Sequence, residues 1–159
     1  MPKKLFYVDD QKDTLYLIKT LFDEMVFRNV IELELKLYVG TGQIVQTFMN
    51  QMEEQNAEQH YYVLDINMPI PRQLKLQAGI WPQDHLGDSQ YCGIAMAKWL
   101  HTKKDVPQKH IALLTHWVDL QEFHQNVLSE LELDDVVWVA KHKIRRHLGK
   151  KLKEWGGKS

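Results

Sequence analysis

The chain reads as an α/β protein built on a parallel sheet, and two observations predict it. Short apolar runs alternate with helical periodicity five times along the sequence. Four of those runs end in polar residues able to do chemistry: Asp9 and Asp10 after LFYV, Asp65 after YYVL, Thr115 after IALL and Lys141 after VVWVA. Strand–helix alternation makes successive strands parallel, with right-handed crossovers covering both faces of the sheet. Open sheets of this kind bind ligands at the carboxyl ends of their strands. The five polar residues therefore form one candidate site. Three carboxylates, a hydroxyl and an ammonium suit a hard cation and a phosphoryl group.

The elements follow in order. Lys4 to Val8 is short, apolar and closed by two aspartates, which reads as a buried strand. Over 12–28, Leu15, Ile18, Leu21, Phe22 and Met25 recur at three- and four-residue spacing, a helix with one apolar face. From Ile31 to Val39 the odd positions are aliphatic and the even ones mostly charged. That period of two predicts a strand near a sheet edge with one face exposed. Gly40 to Gly42 turns the chain into a helix over 43–55, with Ile44, Val45, Phe48, Met49 and Met52 on one side. His60 to Asp65 is a second buried strand.

Residues 66–92 break the rhythm with Pro69, Pro71, Gly79, Pro82 and Gly87. A connection of that length is uncommon inside a compact domain and is often functional. Beyond it come a helix from Gly93 to His101, a strand from His110 to Thr115, a helix over 118–131 and a strand from Val136 to Ala140. A last helix begins near Lys143, with Ile144, Leu148, Leu152 and Trp155 along one side.

Bulk properties narrow the function classes. The length suits a single domain over 1–159 with a real core. A net charge of −1 points to neither nucleic acid nor membrane. Cys92 is the only cysteine, so an intrachain disulfide framework is excluded and a reducing cytoplasm fits. No apolar stretch approaches the ~20 residues that span a bilayer, and the early charges of MPKKLFYVDD do not suit a signal peptide. From Lys141 to Lys158 eight Lys or Arg stand against only Glu154. A solvated amphipathic helix is the favoured reading of that stretch; nucleic-acid binding is the disfavoured one. Eight histidines raise the question of zinc, but no pair shows a zinc-ligand spacing.

The five residues, each at its own strand end, resemble the receiver domain of two-component response regulators over nearly the whole chain. Asp65 lies in LDINMP, close to that family's phosphoacceptor segment, and Gly93 opens the third helix, where the family has a glycine. The resemblance implies a flavodoxin-like three-layer αβα sandwich with five parallel strands in the order 2-1-3-4-5. It implies that Asp65 accepts a phosphoryl group as nucleophile. Asp9, Asp10 and Asp65, with the backbone carbonyl of Asn67, would then hold Mg²⁺. Lys141 would balance charge on a phosphoryl oxygen. Thr115 would hydrogen-bond another and sense the modification, and Trp138 would be the switch aromatic that follows it. Two simpler readings stay open: Asp9 and Asp10 as caps of the next helix, and Trp138 as a core residue.

Four departures modify the expectation. Gly93 stands 28 residues after Asp65, so about twenty residues are inserted beside the site, at about 68–92, as a lid, a docking arm or a surface loop. His116 follows Thr115 where the family prefers a small residue, and Trp117 comes next, at a position that in the family helps set how easily water reaches the phosphoryl group. They would govern water access, either shielding the phosphoryl group and lengthening its lifetime or, through His116, acting as a general base. His142 replaces the proline that usually follows the lysine. A cis bond without proline costs about 3 kcal/mol, so a trans Lys141–His142 bond is expected, with the position of Lys141 in question.

The function expected is that of a cytoplasmic receiver, catalysing its own phosphorylation and dephosphorylation rather than turning over a substrate. The donor would be a phosphohistidine on a sensor histidine kinase or a histidine phosphotransfer protein. Output would pass to another protein by contact. The alternative is an interaction module that works without phosphorylation through the inserted loop. A haloacid-dehalogenase-type phosphatase is disfavoured, because Asn67 stands where that family has a second aspartate.

Overall fold

The computed structural model describes residues 3–40, 43–68, 91–115 and 121–158. Five strands, β1 (Lys4–Asp9), β2 (Glu34–Val39), β3 (Tyr61–Asp65), β4 (Ile111–Thr115) and β5 (Val137–Ala140), form one sheet. All pairings are parallel and the order is β2-β1-β3-β4-β5. Among the described residues five α-helices complete it: α1 (Leu15–Phe27), α2 (Ile44–Met52), α3 (Cys92–Lys103), α4 (Gln121–Glu130) and α5 (Ile144–Gly156). This is the flavodoxin-like three-layer sandwich expected, in the expected strand order.

The period of two explains the layers. On β1, Leu5 and Tyr7 face one side and Phe6 and Val8 the other. On β3, Val63 faces the first side and Tyr62 and Leu64 the second. Both sets are apolar because helices cover both faces. The first face packs against Ile18, Leu21, Phe22 and Met25 of α1 and Ile144, Leu148, Leu152 and Trp155 of α5. The second packs against Val45, Phe48, Met49 and Met52 of α2, most of α3, and Val127 and Leu128 of α4. An aromatic cluster centres the second core. Phe6 stacks on Tyr62 at 5.4 Å between centroids, and Phe48 meets both rings edge-on. Buried Phe→Ala replacements cost about 3–5 kcal/mol, so Phe48 alone carries a large share of a typical net stability.

Three expectations need adjusting. The β2 ladder starts at Glu34, not Ile31. Ile31 instead makes an isolated antiparallel bridge to Gly157, and the Glu32 N–H donates to the Gly156 carbonyl at 2.8 Å. The end of α5 thus covers the entry to β2. The alternation on β2 holds in sequence but not as a clean division of exposure. Leu37 is 41% exposed, while Tyr38, on the other face, packs against the aromatic cluster. As the edge strand, β2 outruns the helices meant to cover it. Finally, the aspartates do not cap α1, because that helix starts at Leu15 with Thr14 before it. Among the described residues no helix is long and apolar enough to cross a membrane.

The expected insertion, His116 and Trp117 lie outside the described residues. The ends of the insertion do not: the Cys92 N–H donates to the Met68 carbonyl at 3.1 Å, so the chain leaves and re-enters the domain at nearly one point.

Candidate functional site

The sheet brings the carboxyl ends of β1 and β3 side by side. Asp9 is the last residue of β1, Asp10 follows it, and Asp65 is the last residue of β3. One carboxylate oxygen of each lies within 4.8 Å of the others. Asp9 and Asp65 are buried and Asp10 is half-buried. Lys141 is the first residue after β5 and is itself buried. Its ammonium lies 3.1 Å from Asp65 Oδ1. The contact is a buried ion pair. No peptide bond among the described residues is cis. Lys141 therefore reaches Asp65 with an ordinary trans bond before His142, and the missing proline does not displace it.

Three carboxylates facing one ammonium leave an excess of negative charge in a poorly solvated place. Burial, and then the charge of Asp9, push the Asp65 carboxyl up to about 7, against the pull of Lys141. Burial and Asp9 also raise Asp10. Asp10 Oδ1 is buried with no hydrogen-bond donor among the described residues. Buried polar oxygens are normally satisfied, so an orphan beside two further carboxylates calls for a cation or water. The donor set is all oxygen, which suits a hard divalent ion rather than zinc or copper. No histidine joins this or any other metal-binding group among the described residues.

Asp9 is held in place. The Tyr7 hydroxyl donates to its Oδ2 at 2.6 Å, and the Gln11 N–H donates to its Oδ1 at 3.0 Å. Tyr7 is fully buried, and burial together with Asp9 raises its pKa, so it remains a proton donor. Reading the sequence for strand-end residues alone overlooks Tyr7. The signal was present: a tyrosine two residues before an aspartate in a strand shares its face.

The β3 end is shaped by Gly93. The Ile66 N–H donates to the Leu114 carbonyl, and the N–H groups of Met68 and Gly93 both donate to the Ile66 carbonyl. A Cβ on Gly93 would stand 2.3 Å from the Asp65 carbonyl oxygen and 2.7 Å from Ile66 Cα. The start of α3 thus lies directly on the backbone that carries Asp65. Asn67 sits in the turn so formed, and its side-chain amide nitrogen is buried without a partner among the described residues. Thr115 ends β4, the neighbour of β3, and is buried. Trp138 lies on β5, half-buried against the core shared by α2, α3 and α4. Comparisons of the chain with protein-family models, with curated proteins and with solved structures found no match.

Proposed function

We propose that the chain is a phosphoryl-accepting receiver of the two-component type, with Asp65 as the acceptor. The observation that carries this reading is one buried carboxylate touched by an ammonium and flanked by two more carboxylates at the end of a parallel sheet. Asp65 attacks the phosphorus of a phosphohistidine on a sensor kinase or phosphotransfer protein. The P–N bond breaks, imidazole leaves, and an acyl phosphate forms on the Asp65 oxygen. Water later cleaves that P–O bond and regenerates the carboxylate.

The acid cluster fits Mg²⁺, held by Asp9, Asp10, Asp65 and the Asn67 carbonyl. The ion would supply positive charge against which carboxylates and phosphoryl oxygens can meet. The remaining work belongs to side chains. Lys141 takes charge from a phosphoryl oxygen. The Thr115 hydroxyl donates to another. Tyr7 keeps Asp9 oriented through its hydroxyl. Asp65 must be ionised to attack, so its raised pKa makes the reaction depend on Lys141 and on bound cation near neutral pH. Output by protein contact, with Trp138 responding to Thr115, and a cytoplasmic setting complete the reading.

The test is incubation with Mg²⁺ and acetyl phosphate, followed by intact mass and by assay of base-labile phosphate. Incorporation that requires Mg²⁺ and is lost in Asp65→Asn supports the proposal. Labelling unchanged in Asp65→Asn, or no labelling of a protein that binds Mg²⁺, sinks it and leaves the phosphorylation-independent module.

A further inference from the structure

A cavity lies between α1 and α5, and it shares no residue with the acid cluster. The two helices leave a cavity of about 330 Å³, within the range of about 300–1,000 Å³ typical of small-molecule pockets. Its apolar wall includes Leu21, Met25 and Val30. Five cations line it, Arg28, Arg145, Arg146, Lys150 and Lys153, against one carboxylate, Glu24. The cations are exposed, and carboxylates pair with only some of them. Glu24 lies 3.0 Å from Arg28 and 2.9 Å from Arg145, and those two arginines hold its carboxyl below the usual range, Arg145 most. Arg146, Lys150 and Lys153 form no salt bridge among the described residues. They stand at i, i+4 and i+7, along one face of α5 and over about 10 Å of its length. Like charges so spaced repel one another, which an anion would relieve.

We propose that this groove binds a small organic diphosphate. Its phosphoryl groups would lie on the Arg146–Lys150–Lys153 stripe and its less polar body against Leu21, Met25 and Val30. The length of the stripe exceeds one phosphoryl group. The cavity is half-open, and its limited volume of about 330 Å³ suits a compact ligand, whereas an extended polyanion would track a longer surface. Glu24 is an internal competitor: it occupies two guanidinium groups that would otherwise face the ligand.

The test is calorimetry and thermal shift on the full chain in EDTA, which keeps cation-bridged anions off the acid cluster. Adenosine diphosphate, inorganic pyrophosphate, orthophosphate and a series of single-stranded oligonucleotides are the probes. Adenosine diphosphate should bind saturably and more tightly than pyrophosphate, and pyrophosphate about tenfold or more above orthophosphate. Added salt should weaken all three. Arg146→Gln/Lys150→Gln/Lys153→Gln should lose about tenfold or more in affinity with unchanged circular dichroism, and Glu24→Gln should gain affinity. Asp65→Asn should bind as the parent does, which separates this site from phosphoryl acceptance. Equal affinity in the triple variant, weaker binding in Glu24→Gln, or oligonucleotide affinity that rises with length and exceeds that of the diphosphates would overturn the assignment.

Discussion

At the residue scale, Asp65 is a carboxylate kept where its charge is unwelcome. In the unfolded chain it ionises near its ordinary value of 3.8; in the fold it ionises at about 7. Between those values the folded protein holds a proton that the unfolded chain has released. Stability from this group is therefore fully present below about pH 4 and is lost as pH rises through about 7. Asp10, raised by the same causes, adds in the same direction. Without divalent cations, wild type should lose more stability between pH 5 and pH 8 than Asp65→Asn does. The variant should be the more stable protein at pH 8, by on the order of 1–2 kcal/mol, because the net shift shows burial and Asp9 outweighing Lys141. Added Mg²⁺ should raise the wild-type Tm and move the variant less. Thermal melts across pH decide it; a variant less stable than wild type at pH 8 would show that the Lys141 ion pair dominates.

At the element scale, the site depends on how closely α3 approaches β3. Gly93 allows a helix to rest on the backbone of Asp65 and Ile66, at distances no side chain tolerates. Gly93→Ala must push backbone against backbone, since neither contact is the end of a flexible side chain. We expect a loss of roughly 1–3 kcal/mol, read as a lower denaturant midpoint at constant m. Under the proposed function, phosphoryl acceptance should fall as well, because Asp65 moves with the strain. An unchanged midpoint would mean that α3 slides without cost. The glycine was legible from the sequence as the opening residue of this helix. Its contact with the Asp65 carbonyl was not, since the two are 28 positions apart in the chain.

At the scale of the whole molecule, the chain between Met68 and Cys92 closes on itself. Its ends meet at one hydrogen bond of 3.1 Å, so a short connection can span them. Loop-closure entropy changes only slowly with length. Replacing residues 70–90 by a short Gly-Ser linker should therefore preserve a cooperative transition, with Tm within a few degrees of wild type. Failure to fold would show that Trp81 or its neighbours complete a core.

The sequence by itself determined the fold class and the candidate site's chemical inventory; the strand order was an expectation carried by a resemblance, and the sheet has that order. Periodicity is local, and strand ends in a parallel sheet meet at one edge whatever the details. Asp9, Asp10, Asp65 and Lys141 could thus be gathered before any coordinates. Tertiary structure alone decided the interactions between distant segments. It decided that Lys141 reaches Asp65 despite His142, that Tyr7 holds Asp9, and that the end of α5 covers the entry to β2 through Ile31 and Gly157. The basic C-terminal stretch is the solvated amphipathic helix expected, with Arg145, Arg146, Lys150 and Lys153 exposed; only packing shows that α1, more than a hundred residues earlier, stands beside that charged face. Spacing along one helix says which charges share a face, but only packing says what that face looks upon.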